Sequence, residues 1–184
     1  NDLIDKEAVD PRTSTEIEVV DWIDSLRVVE RFQRLEKIAI AGCYNIEDFD
    51  RLYRQEALQR TLKDVLLMRN ETVRSLKFLR CYPLNSLTVY DFESVEDIDS
   101  LLGENHILKA SLRELDLDRM HGVDEVSTLR GYGLEYLNLS AFRGFGWFED
   151  LMEDNDLLKA NLKTFITMGN DFDVSNVRDA LSAF

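Results

Sequence analysis

Acidic and polar side chains recur at every second position in the middle of the chain. Glu114, Asp116 and Asp118 alternate with leucines in one short segment. Tyr136 and Asn138 have the same spacing in a second segment. Residues two positions apart on an extended strand point to the same side, so each set would form part of one surface. Carboxylates beside aromatic rings are typical of a site that binds a basic or arginine-bearing segment of a partner protein.

The residue types that usually carry catalysis or bind metals are few and scattered. The two histidines, His106 and His121, fall in different segments, and Cys43 and Cys81 are the only cysteines. A catalytic or metal site needs several such groups that converge, so we expect neither an enzyme nor a bound metal or other cofactor. Two cysteines without close spacing predict no disulfide framework, which favours a reducing compartment, cytoplasmic or nuclear.

A repeated pattern marks the elements that must position the acidic residues. The pattern apolar-x-x-apolar-x-apolar occurs six times. The copies are "LEKIAI" from Leu35, "LKDVLL" from Leu62, "LNSLTV" from Leu84, "LRELDL" from Leu112, "LEYLNL" from Leu134 and the weaker "LKTFIT" from Leu162. Their starts define long units of about 27–28 residues that alternate with short units of about 22 residues, lengths typical of stacked repeats. One such unit cannot bury its apolar side alone, and we therefore expect each to pack on its neighbours.

The repeat predicts an α/β leucine-rich-repeat solenoid. About six parallel strands would begin near residues 36, 63, 85, 113, 135 and 163, with alternate leucines pointing inward. The long units have room for helices near residues 46–59, 96–109 and 147–159, where apolar residues recur at helical spacing. The strands would form the concave face of the solenoid and the helices its convex face.

Strands in register would align their outward side chains in rows across the concave face. The rows are Lys37, Asp64, Ser86, Glu114, Tyr136, Thr164; then Ala39, Leu66, Thr88, Asp116, Asn138, Ile166; and then Ala41, Met68, Tyr90, Asp118, Ser140, Met168. The predicted partner-binding residues are Tyr90, Glu114, Asp116, Asp118, Tyr136 and Asn138, with the apolar pairs Leu66 and Met68, and Ile166 and Met168. The alternative interpretation is an ordinary solvated strand surface. The apolar pairs indicate either a partner contact or a covering segment of the chain.

The sequence before the repeats has a different pattern. Residues 35–184 form the predicted repeat domain, and residues 1–34 a lead-in with a capping helix over residues 16–32. Apolar residues on or near one face of that helix are Val19, Val20, Ile23, Leu26 and Val29. The helix would cover the edge of the first strand or belong to an earlier unit. Because the first residue is Asn rather than Met, we expect the chain to be part of a longer protein, with processing of the chain as the alternative.

The charge balance limits the classes of partner. The formal net charge is -14 at pH 7 and the isoelectric point is about 4.5. A nucleic-acid backbone or an anionic membrane surface attracts basic proteins, so we expect neither as a partner. A basic protein segment is the better match, while a merely solvated acidic surface is the alternative. The sequence contains no run of about 18 apolar residues, so it predicts no membrane span.

One segment carries a family resemblance. Residues 35–52, "LEKIAIAGCYNIEDFDRL", resemble the cysteine-containing subtype of the leucine-rich repeats, L-x-x-L-x-L-x-x-C-x-x-I-T-D-x-x-L. The pattern is matched by Leu35, Ile38, Ile40, Cys43, Ile46, Asp48 and Leu52, with Glu47 in place of Thr. In the family, the Cys or an Asn at that position bonds backbone groups where the strand bends. The equivalent positions here are Cys43, Asn70, Phe92, Met120, Phe142 and Asn170, of which the Phe and Met residues depart from the pattern.

The resemblance implies a non-catalytic protein-binding scaffold. This repeat type is common in F-box substrate receptors, so a substrate-recognition module of a cullin ubiquitin ligase is its most concrete form. The order of residues 35–67 is also similar to mitochondrial coupling factor B. That similarity implies the alternative, an assembly or regulatory factor of a larger complex, located in mitochondria.

Overall fold

Within the part of the chain that the structure describes, seven parallel strands form one sheet in chain order. The computed structural model describes residues 10–20, 25–42, 46–53, 55–92, 94–95, 97–120, 129–141, 152 and 155–167. The strands are β1 (Glu16–Val20), β2 (Lys37–Ala41), β3 (Asp64–Met68), β4 (Ser86–Tyr90), β5 (Glu114–Asp118), β6 (Tyr136–Asn138) and β7 (Thr164–Ile166). The predicted α/β class and parallel sheet are confirmed. The six predicted strands each begin within one position of the observed start, but β1 adds a seventh.

The strand register preserves the alternation of long and short units. Lys37 pairs with Asp64 across the first long unit. Asp64 pairs with Ser86 across a short unit, and Ser86 pairs with Glu114 across the next long one. Glu16 pairs with Lys37, and the interval between them is again short. Strand β1 therefore begins a further short unit before the six that the leucine pattern marks.

The predicted capping helix over residues 16–32 is wrong. Its first part is strand β1, and a 3₁₀ helix spans Leu26–Arg31, while residues 21–24 lie outside the described part. In β1 the alternate residues Ile17 and Val19 point toward the core. Both are β-branched, which suits a strand better than a helix. Pairing with β2 then satisfies the backbone of β1, and the apolar spacing alone did not reveal that partner.

The helices of the long units come in short pieces. The first long unit contains α1 (Asp50–Tyr53) and α2 (Glu56–Thr61), the second α3 (Asp99–Leu102) and α4 (His106–Ser111), and the third α5 (Asp156–Asn161). The short units contain the 3₁₀ helices Leu26–Arg31 and Lys77–Leu79. Most of residues 147–154, predicted to be helical, lie outside the described residues. Within the described part, no helix is long and apolar enough to cross a membrane.

An asparagine cap divides the predicted helix 96–109 into two. Glu104 adopts a left-handed conformation with φ 43° between α3 and α4. Asn105 accepts a hydrogen bond from the Leu108 amide at 3.2 Å and donates one to the Leu101 carbonyl at 2.9 Å. Asparagine favours helix starts because its side chain can replace the missing backbone partners of the first turn. The side chain thus ends one helix and begins the next.

The described helices lie on the core side of the sheet. Alternate strand residues are buried there, each at most 2% exposed: Ile38, Ile40, Val65, Leu67, Leu87, Val89, Leu115, Leu117 and Leu137. The helices add buried leucines to the same cluster: Leu52, Leu58, Leu101, Leu102, Leu108 and Leu158. The remaining strand residues form the opposite surface, called the open face below.

A long and a short unit together form a larger repeat in three dimensions as well as in sequence. The buried Tyr82 donates its hydroxyl hydrogen bond to the Leu52 carbonyl. At the equivalent position of the next pair of units, Tyr132 donates to the Leu102 carbonyl at 2.6 Å. Burial raises the pKa of both tyrosines well above the usual value. Each hydroxyl thereby satisfies a carbonyl near the end of a helix in the preceding long unit.

The chain bends sharply after five consecutive strands. One residue at the same register position in each has a left-handed backbone: Gly42 (φ 66°), Arg69 (53°), Asp91 (61°), Arg119 (55°) and Ala141 (57°). The amides of the first four donate to carbonyls at or just after the end of the next strand, at 2.9–3.1 Å. Only glycine adopts this conformation without cost, so these hydrogen bonds help to hold the three non-glycine bends at Arg69, Asp91 and Arg119. The next residues, Asn70, Phe92 and Met120, are buried.

Candidate functional site

The predicted rows of outward residues are present on the open face. The register aligns Ser86, Glu114 and Tyr136 in one row. It aligns Thr88, Asp116 and Asn138 in the second row, and Tyr90 with Asp118 in the third. Adjacent strands lie about 4.8 Å apart, so the predicted central residues are neighbours on β4, β5 and β6.

Asp116 is held in place by two neighbours on β6. The Asn138 amide Nδ2 donates to Asp116 Oδ1 at 2.9 Å, and the Tyr136 hydroxyl lies 3.4 Å from Oδ2. Asn138 is itself fixed, since its Oδ1 accepts from the amide of Ser140 at 3.0 Å and from the Ser140 hydroxyl at 2.6 Å. The carboxylate is therefore oriented by contacts within the sheet itself.

The surroundings raise the pKa of Asp116 above its usual value. Partial burial is the main cause; the Asn138 hydrogen bond acts in the opposite direction, and the nearby Asp118 charge adds to the increase. Partial burial also raises the pKa of the Tyr136 phenol, helped by the charge of Asp116. An ionised Asp116 lacks part of the solvation and counter-charge that would stabilise it. A cation supplied by a partner would provide that counter-charge.

Replacing Asp116 by asparagine should raise the free energy of unfolding at neutral pH, by less than about 1 kcal/mol because the carboxylate is only half-buried. The folded-state pKa lies above the unfolded value, so the contribution of this group to stability is lost as pH rises through the folded pKa. The asparagine variant avoids that loss. Thermal unfolding of both proteins should show their difference shrinking as the pH falls toward the unfolded pKa of the carboxyl.

Glu71→Gln serves as the control for the loss of one charge, because Glu71 is exposed after β3. A gain of the same size in this control would show that net charge, rather than the site, limits stability. An Asp116→Asn variant that is less stable than the original at neutral pH would contradict the argument from partial burial.

Two predicted contact residues differ in how far they reach the surface. Tyr136 is partly exposed, whereas Asn138 is buried with 8% of its surface accessible. Asn138 therefore positions Asp116, and Tyr136 is the group that a ligand can touch. This difference in exposure between two residues of one strand depends on the groups that pack around β6. The alternating sequence pattern therefore could not predict it.

A pocket opens beside Asp116. It has a volume of about 230 Å³ and is lined by Ser86, Thr88, Glu114, Asp116 and Tyr136. Pockets for small-molecule ligands usually measure roughly 300–1,000 Å³, so this one is suited to a single side chain. Ser86 and Thr88 were not among the predicted site residues, although their positions in the rows would have identified them.

The two predicted apolar pairs lie far apart. Leu66 and Met68 lie on β3, partly buried on the open face. Ile166 lies on β7, in register with Asn138, and Met168 is outside the described residues. Leu66 and Ile166 are four strands apart in the sheet. Leu66 lies two strands from Asp116 on one side and Ile166 two strands from it on the other, so a short ligand segment at the central carboxylates can reach only one of the two pairs.

Two arginines at the carboxyl ends of the strands were not predicted as part of the site. The Arg119 guanidinium lies 5.4 Å from the centre of the Tyr90 ring. The Arg69 Nε lies 3.7 Å from Asp91 Oδ2. Both arginines occupy left-handed bend positions. No sequence signal predicts that conformation for arginine, since its intrinsic preference is against it.

The bend after β3 is closed by an asparagine. Asn70 Oδ1 accepts from the amides of Thr72 and Val73, both at 2.9 Å. Its side chain is 1% exposed. This is the backbone bonding that the family resemblance implies for the position. Phe92 and Met120 fill the equivalent positions with buried apolar side chains, whereas Cys43, Phe142 and Asn170 lie outside the described residues.

In comparisons with known proteins, no family model, no curated protein and no solved structure matched the chain. Among the described residues, no group of three or more His, Cys, Asp or Glu side chains could hold a metal ion. The Cys81 thiol is partly buried, and that burial raises its pKa. The acidic and aromatic residues of β4, β5 and β6, with their hydrogen-bonded carboxylate and adjoining pocket, are therefore the candidate site considered below.

Proposed function

We propose that the chain is a non-catalytic scaffold that binds a basic segment of a partner protein on the open face. The observation that carries this proposal is the fixed Asp116 carboxylate beside a pocket of side-chain size. Glu114 and Asp118 add two negative charges on the same strand. Tyr136 supplies an aromatic surface against which a guanidinium can pack.

The repeat class is proposed to be the leucine-rich repeat. Parallel strands in chain order, units of alternating length and the asparagine at the bend after β3 support that assignment. Solenoids of this kind present one extended sheet surface to a partner. In the most specific form of the proposal, the chain selects substrates for a ubiquitin ligase.

The test uses arginine itself as the probe. N-acetyl-arginine amide is titrated into the labelled protein, and backbone amide resonances are followed by NMR. We expect shifts concentrated in β4, β5 and β6, and much smaller shifts with the uncharged citrulline analogue. Shifts confined to residues of the helices, or equal shifts with citrulline, would remove the open face as a cation site.

Reversing one charge on this face should weaken binding of an arginine-containing peptide. Asp118→Lys should reduce the affinity roughly fivefold to tenfold at low salt, mainly by slowing association, and the effect should shrink as salt screens the charges. Tyr136→Ala should instead weaken binding by about 1–2 kcal/mol, mainly by speeding dissociation. Both effects are measurable by stopped-flow fluorescence with a labelled peptide.

Asp156→Lys is the matched control, because it changes net charge by the same amount on α5, away from the open face. It should leave the affinity within about twofold, since screening weakens an effect over that distance. If Asp156→Lys and Asp118→Lys weaken binding equally, the peptide responds to overall charge and the site is wrong.

A further inference from the structure

The open face combines an apolar part and an acidic part in a fixed geometry. The register aligns Leu66 on β3 with Thr88 on β4 and Asp116 on β5. It aligns Met68, Tyr90 and Asp118 in the same way. Two strand spacings amount to about 10 Å. In both rows, an apolar side chain therefore lies about that far from a carboxylate.

Building on the proposed function, we propose that the occupant of this face is a proline-rich segment of a partner protein in the polyproline II conformation. It crosses the strands and carries a basic side chain three positions from an apolar one. The basic side chain lies against Asp116 and Asp118, and the apolar one against Leu66 and Met68. Charge complementarity with β5 places the basic end. The apolar end is assigned to β3 because that strand has an apolar residue in both rows, whereas Ile166 is the one described apolar residue at the same distance on β7.

The distance between the two parts matches this conformation better than it matches an extended strand. A polyproline II helix rises about 3.1 Å per residue with three residues per turn, so residues i and i+3 point to one side about 9 Å apart. A β-strand places i and i+3 on opposite sides, and its i and i+2 side chains are only about 7 Å apart. The polyproline II spacing matches the separation of Leu66 from Asp116.

Tyr90 lies between the two parts and suits the same ligand. It is on β4, next to Met68 on one side and Asp118 on the other. The Arg119 guanidinium lies 5.4 Å from the centre of the Tyr90 ring, so a ligand would share this ring with it. Grooves that bind polyproline II segments are lined by aromatic side chains, because a proline ring packs flat against them. The residues between the basic and the apolar side chain would cross this ring.

The test compares peptides of equal composition. Each is a labelled proline-rich hexapeptide or heptapeptide with one leucine and one arginine, separated by two, three or four positions. Fluorescence anisotropy should show binding at least about fivefold tighter for the separation of three. Leu66→Ala should reduce the affinity for that peptide at least about threefold. It should change the affinity little for the control peptide in which alanine replaces the leucine. Met68→Ala provides a second measurement, and thermal unfolding checks that each variant is folded.

The outcomes separate this inference from the proposed function. Suppose that all three peptides bind with equal affinity and that replacing arginine by citrulline abolishes binding. That result would overturn the three-residue separation but would agree with the proposed site for a basic segment. A preference for two or four positions would overturn the polyproline II conformation. Affinity that does not depend on arginine would overturn both proposals.

Discussion

Replacing Leu115 by alanine should lower the free energy of unfolding by about 2–5 kcal/mol, and replacing Leu137 should have an effect of similar size. Both side chains are fully buried between the sheet and the helices. Each substitution removes apolar contacts and leaves a cavity that neighbours on adjacent strands fill only in part. Urea unfolding followed by circular dichroism measures the loss.

Leu157→Ala is the matched control, since it makes the same chemical change at a leucine that is 49% exposed on α5. We expect a loss below about 1 kcal/mol, because half of the side chain is already in water. Its neighbour Leu158 is fully buried and should behave like Leu115. Equal losses at Leu157 and Leu158 would contradict the assigned core side of the helix.

Replacing Asn155 by alanine should destabilise the protein by about 2–4 kcal/mol, the second largest effect we expect. Its Oδ1 lies 3.4 Å from the Leu158 amide and 3.3 Å from the Gly131 amide, and its Nδ2 donates to the Leu129 carbonyl at 3.0 Å. Asn155 is 2% exposed. The variant would lose a helix cap and leave buried backbone groups without their partner.

The repetition of the long units provides the controls for this prediction. Asn105 occupies the equivalent position before α4 and should show a similar loss, since it makes the same kind of bonds. Gln55 occupies that position before α2 and makes no cap hydrogen bond through its side chain. Gln55→Ala should therefore cost less than about 0.5 kcal/mol. A loss at Gln55 as large as that at Asn155 would show that the position matters for a reason other than capping.

Much of the site could be predicted because it depends on local spacing. Alternating leucines identify the strands, and residues between them must then point to the other side of the sheet. Repeat lengths predict which residues align across strands, as with Asp116 and Asn138. The rows on the open face followed from these two facts alone, and the register confirms them. Their role in binding stays a prediction.

Other features of the site needed the folded chain. The exposure of Tyr136 and the burial of Asn138 depend on groups that pack around β6, as does the pKa of Asp116. The Arg119 contact with Tyr90 depends on a left-handed bend that arginine does not favour by itself. Neither packing nor an unfavourable backbone conformation leaves a periodic trace in the sequence.

The sequence by itself determined the parallel strands, their spacing and the core side of each, because burying leucines at a period of two admits one arrangement per unit. Tertiary structure decided where that periodic signal was ambiguous. Residues 16–20 have apolar spacing that also suits a helix, and they form β1 because β2 offers a hydrogen-bonding edge. Asn105 and Glu104 divide a predicted helix because side-chain capping and packing outweigh helical spacing over so short a segment.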